Sequence, residues 1–190
     1  ETPESADAFR KEIARNLKEV SDSFLTYVTL CRFAVECGTI HDLESAEHAM
    51  RRAVAKNPHA STYFHHLGAV QLKIDKNTEA LASYKKSVAL QRTRQNMTGL
   101  AISYHNLGKY RTADRIFKKV LFAPGEFPNE YYQIWSRTSY QIDENKRAVN
   151  LMRRYIDLIG EDKATEQDFL DLSNAYHDAG NRTQFEYYQQ

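Results

Sequence analysis

The sequence repeats itself with a period of 33 to 35 residues. An alanine recurs at this spacing at four places, Ala46, Ala80, Ala113 and Ala148. Each alanine is followed four positions later by a bulky residue. Earlier in each period two bulky residues stand three positions apart. A small residue directly follows the second of them, as Gly68 does in "FHHLG". A period of this length has room for two short helices, so it predicts an array of stacked helical hairpins.

The small residues predict where the two helices of a hairpin cross. Gly68 and Ala80 are twelve positions apart, one on each helix, and neither carries a side chain that would hold the helices apart. Larger residues around the crossing then fill the remaining space. Turn signals fall between the paired helices, in "IDKNTE", "NLGKY" and "DAGNR". A single hairpin cannot bury both of its faces, so neighbouring hairpins must stack.

The pattern resembles the tetratricopeptide repeat, a helix–turn–helix unit of about 34 residues. "LESAEHAMRRAVAKNP" matches the second half of such a unit, and "MTGLAISYHNLGKYRTADRIFKKVL" matches nearly a whole one. The fourth unit departs from the pattern, because Ser139 stands at the usual tyrosine position and Tyr140 comes one residue late. The resemblance covers residues 27–190. It implies an all-α fold, a right-handed solenoid of antiparallel helix–turn–helix repeats.

The period also predicts how the chain is divided. Before the first repeat, residues 1–26 read as a capping helix or as the end of an upstream repeat. The repeats that follow are expected at 27–60, 61–93, 94–128 and 129–165, with an incomplete fifth repeat at 166–190. Its second helix would start near Thr183, so we expect a fragment of a longer array in which Phe185, Tyr187 and Tyr188 lack packing partners. Self-association through this end is an alternative.

Composition excludes several classes of protein. The chain has 26 basic and 25 acidic residues, so there is no global attraction to nucleic acid or to an anionic membrane. A local bias remains, with eleven basic against three acidic residues from Lys73 to Lys119, and seven against twelve from Leu121 to Gln190. Cys31 and Cys37 are six positions apart and cannot bridge on one helix, and two unpaired thiols slightly favour the cytoplasm. No run of apolar residues is long enough to span a membrane.

The sequence carries no recognisable catalytic motif. Phosphate-binding glycine loops, HExxH and GxSxG are all absent. None of the seven histidines lies four residues from another, so no two histidines have the spacing of a metal site on one helix face. Acidic pairs such as Asp143–Glu144 fall in predicted turns, where solvated side chains are expected. We therefore predict no enzyme activity, no catalytic residue, no metal and no cofactor.

The predicted fold offers a groove instead of a catalytic site. Stacked hairpins curve, and the first helix of each hairpin lines the concave side. Polar side chains at exposed positions of these helices offer donors and acceptors that an extended peptide needs. The sequence thus predicts a protein-interaction scaffold that binds a protein or peptide partner, and no small-molecule substrate. The groove residues are Arg32, His65, His66, Lys73, Gln95, His105, Asn106, Gln133, Arg137, Tyr140 and Asn174.

Three other functions can be compared with this prediction. Related repeats that clamp the C-terminal carboxylate of chaperones use Lys, Asn and Arg at positions occupied here by Cys31, Val35, His66, Gln95 and Gly99, so this specificity is not expected. A second alternative is the substrate-recruiting module of a larger enzyme. The third is binding of nucleic acid or another polyanion, which we do not favour because the basic residues lack interleaved aromatic groups. Those residues are Lys85, Lys86, Arg92, Arg94, Arg111, Arg115, Lys118 and Lys119.

Overall fold

A computed structural model describes residues 40–128 and 130–188, and every regular element in these ranges is helical. The all-α prediction is confirmed. Residues 1–26, Arg32 and the beginning of the predicted first repeat lie outside the described residues. The helices are α1 (Ile40–Lys56), α2 (Ser61–Lys73), α3 (Asn77–Leu90), α4 (Arg94–Asn106), α5 (Tyr110–Val120), α6 (Glu130–Tyr140), α7 (Asn145–Ile159), α8 (Glu166–Asp178) and α9 (Arg182–Tyr187), with a 3₁₀ turn at Glu161–Lys163.

The chain divides into two compact units, Glu1–Gln91 and Arg92–Gln190. In the first unit, α2 packs against both α1 and α3. The second unit contains three antiparallel hairpins, α4–α5, α6–α7 and α8–α9, and each hairpin packs on the next. Because the same helix order recurs, α4, α6 and α8 are the first helices of successive hairpins in this unit.

The turn inside each hairpin has the same geometry in four places. One residue adopts the left-handed conformation, and the next amide donates to the carbonyl five residues before it at 2.9 Å in all four turns. This bond pattern terminates a helix and satisfies carbonyl groups that would otherwise lack partners. The predicted turns are therefore confirmed. The left-handed residues are Asp75 (φ 56°), Gly108 (φ 69°), Asp143 (φ 63°) and Gly180 (φ 80°).

Small residues lie where the helices of a hairpin meet, as the sequence predicts. A Cβ atom added to Gly68 would lie 2.7 Å from Cε2 of the Tyr84 ring on α3. In the α6–α7 hairpin, the Ser136 hydroxyl donates to the carbonyl oxygen of Ala148 at 2.7 Å. A side-chain hydroxyl reaches the backbone of the opposite helix only when the two helices approach closely. The crossing therefore tolerates little added volume.

Each unit has its own apolar core. In the first, α1 contributes most of a cluster of buried residues that α2 completes: Leu43, Ala46, Ala49, Met50, Ala53, Leu67 and Val70. In the second, Phe117 stacks on Trp135 at a centroid distance of 6.1 Å, and Tyr131 packs its edge against Phe117 at 5.8 Å. The Tyr131 hydroxyl donates to the Phe117 carbonyl oxygen at 3.1 Å, so this buried polar group is satisfied.

The last hairpin is shorter than the others but is not unpacked. Its second helix, α9, has six residues. Phe185 and Tyr188 pack against the core formed by α7 and α8, and the Tyr188 ring stacks on Phe169 and Tyr176 at 6.1 and 5.9 Å. The expectation that both residues lack partners is therefore wrong, because two aromatic rings of α8 receive the Tyr188 ring. Tyr187 is 67% exposed, and its ring packs edge-to-face with Tyr188 at a centroid distance of 4.9 Å, so it too has a partner.

The crossing at Gly68 can be tested by adding one methyl group. By helix propensity alone, Gly68→Ala would stabilise the chain by about 1 kcal/mol. The added carbon would instead press on the Tyr84 ring, which is only 3% exposed and has little room to move. Overpacking typically costs about 1–3 kcal/mol, so we expect a net loss of about 1 kcal/mol in urea unfolding followed by circular dichroism.

The matched background is Tyr84→Leu, which removes the ring atoms near the new methyl group. In that background Gly68→Ala should become neutral or stabilising. A gain of stability from Gly68→Ala in the parent chain would show that the two helices are not in close contact there.

Candidate functional site

The described part of the second unit contains a cavity of about 370 Å³, which we call the α6 cavity. Four predicted groove residues line it together: His105 from α4, Arg137 and Tyr140 from α6, and Asn174 from α8. They meet because successive first helices present equivalent faces. The complete lining is His105, Tyr110, Ser136, Arg137, Tyr140, Gln141, Ala148, Gln167, Asp171, Asn174 and Ala175.

The other predicted groove residues do not line the α6 cavity. Gln133 lies one turn before Arg137 on α6 and bonds to a buried carboxylate beside the cavity. Gln95 and Asn106 lie on α4, and Asn106 is exposed. His65, His66 and Lys73 lie on α2 in the first unit. Arg32 falls outside the described residues, so the structure does not test it.

Arg137 is held by two aspartates of the next hairpin. Its Nε donates to Asp171 Oδ2 at 2.6 Å, and its Nη2 donates to Asp168 Oδ1 at 3.1 Å. Asp168 has no exposed surface, and it also accepts from Gln133 Nε2 at 2.6 Å and from the Thr165 hydroxyl at 2.8 Å. The charge of Arg137 is therefore already compensated within the protein.

These bonds keep Asp168 ionised. Burial alone would raise the pKa of Asp168, but the hydrogen bonds from Gln133 and Thr165 and the charge of Arg137 together hold that pKa below its ordinary 3.8. Asp168 also forms a capping box with Thr165 at the start of α8. The carboxylate thus fixes both the beginning of α8 and its contact with α6.

The proton on the His105 ring can be assigned from its neighbour. Thr138 is fully buried, and its hydroxyl donates its single proton to the Ile134 carbonyl oxygen at 2.7 Å. The 2.9 Å contact between His105 Nδ1 and Thr138 Oγ1 must then be a bond donated by the ring. Burial, helped by the charge of Arg137, lowers the pKa of His105 below 6.5, so the ring is neutral at pH 7. Its Nε2 is consequently an acceptor, and no described residue donates to it.

Tyr140 also has an internal partner. Its hydroxyl donates to Asp178 Oδ2 at 2.7 Å, and this hydrogen bond, with burial, raises the pKa of the Tyr140 phenol. Asp178 Oδ1 lies 2.8 Å from His177 Nδ1. Because its proton is engaged, Tyr140 offers a ligand only an acceptor oxygen and the face of its ring.

The acidic face of α8 was not predicted from the sequence. Asp168, Asp171 and Asp178 are separated by three and seven residues, so a helical projection places them on one side. This spacing was a visible signal, but the three residues were counted only as part of an acidic C-terminal half. Asp168 and Asp171 face the guanidinium of Arg137, and Asp178 accepts from the hydroxyl of Tyr140.

Several basic residues proposed for polyanion binding have internal roles. The Arg94 guanidinium bonds to the carbonyl oxygens of Val120 and Leu121 and lies 4.1 Å from the centroid of the Phe127 ring. Lys118 Nζ is 2.8 Å from Asp114 Oδ2. Asp114 therefore compensates the charge of Lys118, and the Arg94 guanidinium is engaged by backbone carbonyls and an aromatic ring.

Residues 40–128 and 130–188 carry neither a metal-binding cluster nor a membrane-spanning helix. These ranges contain no group of three or more His, Cys, Asp or Glu side chains arranged to hold a metal ion. None of their helices combines the length and apolar character needed to cross a membrane.

No protein-family model matches this chain, and no curated protein matches it either. Solved structures do match. PilW, described as a widely conserved type IV pilus biogenesis factor, has a TM-score of 0.78 at 15% identity, with 97% of this chain and 83% of PilW covered. YrrB, described as a TPR protein with an unusual peptide-binding site, has a TM-score of 0.64 at 15% identity and coverages of 93% and 88%.

A third similar structure is TTC0263, a thermophilic TPR protein of Thermus thermophilus, with a TM-score of 0.65 at 17% identity and coverages of 85% and 87%. At these identities the likeness concerns the fold alone. The chain is accordingly an all-α protein with the fold of tetratricopeptide-repeat arrays, as the 34-residue pattern predicted.

The ion pair at Asp168 should matter strongly for stability. Asp168→Ala removes the acceptor that Gln133 and Arg137 share, and it removes the Asp168 side-chain half of the capping box at the start of α8. Breaking a buried pair from one side typically costs about 3–5 kcal/mol, and we expect about 3 kcal/mol because Arg137 keeps Asp171 and is 30% exposed. Urea unfolding measures this loss. The control is Glu186→Ala, which breaks an exposed pair with Arg182 and should leave the melting temperature nearly unchanged.

The lowered pKa of His105 predicts a pH dependence of stability. The unfolded chain binds the proton more tightly than the folded chain, so the folded state loses stability as the pH falls below 6.5 towards the lowered value. Above pH 6.5 no change is expected from this group. His105→Asn keeps a donor for Thr138 but cannot titrate, so between pH 7.5 and 5.5 it should lose less stability than the parent. An equal loss in both proteins would contradict a buried neutral ring.

Proposed function

We propose that the chain is a non-catalytic scaffold that binds an extended segment of a partner protein in the α6 cavity. The observation that supports this is a set of hydrogen-bonding groups without partners among the described residues. His105 Nε2, the Tyr110 hydroxyl and the Asn174 amide all belong to the cavity lining. They come from three different helices, α4, α5 and α8.

An extended peptide suits such a set of groups. Its backbone presents amide donors and carbonyl acceptors in alternation, whereas His105 Nε2 only accepts and the Tyr110 hydroxyl and Asn174 amide can do both. A ligand that reaches all three must also span several helices. YrrB, a TPR protein with an unusual peptide-binding site, offers a precedent for peptide binding on this fold.

The two alternatives make different predictions. A recruiting module of a larger enzyme would bind the same kind of segment and would turn nothing over by itself. Binding of a polyanion would depend on the basic side chains between Lys85 and Lys119, which include Arg94 and Lys118, and would weaken steeply with salt. The internal bonds of Arg94 and Lys118 argue against it.

The proposal can be tested with peptides from a random display library selected on the purified chain. Asn174→Ala should weaken a selected peptide by about 5- to 10-fold, the cost of about one hydrogen bond. The melting temperature of the Asn174→Ala variant should stay unchanged, because Asn174 is exposed and bonds to no described residue. Affinity is measured by fluorescence anisotropy.

The matched control is Lys119→Glu, an exposed residue of α5 that does not line the cavity. It should leave affinity unchanged. Binding that depends on Lys119 and on low salt, but not on Asn174, would contradict the cavity and support a polyanion ligand. Failure to select any peptide would count against the proposed function.

A further inference from the structure

The charges around the α6 cavity do not balance. Arg137 is the only basic residue in the lining, and its ion pairs with Asp168 and Asp171 place two negative charges against one positive charge. Asp178, which binds Tyr140 at the same end of α6, adds a third carboxylate. Asp171 belongs to the lining, whereas Asp168 and Asp178 lie beside it, and with His105 neutral none of the described lining residues adds a second positive charge.

The uncharged groups of the lining also favour a positively charged ligand. His105 presents an acceptor through Nε2. The Tyr140 hydroxyl donates its hydrogen bond to Asp178, so toward a ligand its oxygen can only accept. The Tyr110 ring packs edge-on against His105 at a centroid distance of 5.2 Å. Tyr110 and Tyr140 both belong to the lining, so the cavity contains two tyrosine rings. Tyrosine faces attract ammonium and guanidinium groups.

We infer that the α6 cavity receives the side chain of a lysine or arginine from the partner segment, with Asp171 as its ion-pair partner. This inference rests on the proposed function, because it assigns a chemical class to the segment bound there. It differs from clamps that hold a terminal carboxylate, since the charge recognised here is positive.

Asp171 is suited to this role because it is both held in place and accessible. Its Oδ2 accepts from Arg137 at 2.6 Å, and its Oδ1 accepts from Gln167 at 2.8 Å. Each carboxylate oxygen can accept more than one hydrogen bond, so both retain capacity. The side chain is 24% exposed, whereas Asp168 is fully buried and cannot reach a ligand. A fixed acceptor loses little entropy on binding.

The opposite arrangement, an acidic ligand on Arg137, is disfavoured. Such a carboxylate would approach a guanidinium that already contacts Asp168 and Asp171. It would gain one attraction and meet two repulsions at similar range. The charges beside Arg137 therefore favour a cationic ligand over an anionic one.

The inference can be tested without a selected peptide. The probes are Nα-acetyl-lysine N-methylamide and its norleucine and glutamate analogues, titrated into the ¹⁵N-labelled chain. We expect amide shift changes in α6 and α8 with the lysine probe and much smaller ones with the other two. Asp171→Asn should weaken the lysine response about 5-fold or more. The matched control is Glu166→Gln, which also removes one negative charge from α8 but lies outside the cavity lining. It should leave the response unchanged.

The outcomes distinguish this inference from the proposed function. Equal responses to all three probes, or no response to any, would overturn the cation site. A stronger response to the glutamate probe would assign an anion site to Arg137. Selected peptides that need Asn174 but show no enrichment of lysine or arginine would leave the proposed function standing and overturn only this inference. A lysine response that depends on Asp171 in a chain that selects no peptide would support the cation site and contradict the peptide groove.

Discussion

The close crossing of the two helices in each hairpin is the constraint on which the other packing depends. The small residue of the first helix contacts the residue twelve positions later on the second helix. In the α6–α7 hairpin this contact is the 2.7 Å hydrogen bond from the Ser136 hydroxyl to the Ala148 carbonyl oxygen. In the last hairpin the same contact joins Ser173 to Phe185 at 3.5 Å. Phe185 stands at the alanine position of this repeat, and its ring is too large to fit between the two helices. The ring packs beside His177 instead, with the two ring centroids 4.9 Å apart. A departure from the repeat pattern thus changes the contact locally.

Buried carboxylates fix which hairpins lie next to each other. Glu47 and Asp114 directly follow the crossing alanines of their repeats, and each binds a cation of the next hairpin, Lys76 at 2.6 Å and Arg147 at 2.9 Å. An unpaired buried charge is costly, so these pairs penalise any shift of one hairpin along its neighbour. The other two repeats use apolar residues, Leu81 and Val149, at the equivalent position. The residue after the crossing alanine therefore packs against its surroundings as a paired carboxylate in two repeats and as an apolar side chain in the other two.

The sequence predicts the elements that depend on local pattern and misses those that depend on distant pairs. The spacing of small and bulky residues is enough to place the crossings and the turns. Asp75 and Asp143 were not recognised as left-handed, because aspartate gives a weaker signal than the glycine found in the other two turns. The role of Asp168 was hidden for another reason. Its partner Gln133 is 35 residues away, and an acidic residue near a helix start is ordinary in sequence.

The candidate site shows why a set of residue types does not define a binding surface. Reasoning from sequence treated each polar side chain of the first helices as available to a partner. The structure assigns Arg137 to hold Asp171, so the guanidinium positions the acceptor and is not itself the group left for a ligand. Substituting Arg137 would alter stability and site geometry together, because Asp168 would lose a partner. The informative positions are therefore Asn174, which has no internal role, and Asp171, whose remaining acceptor capacity faces the cavity.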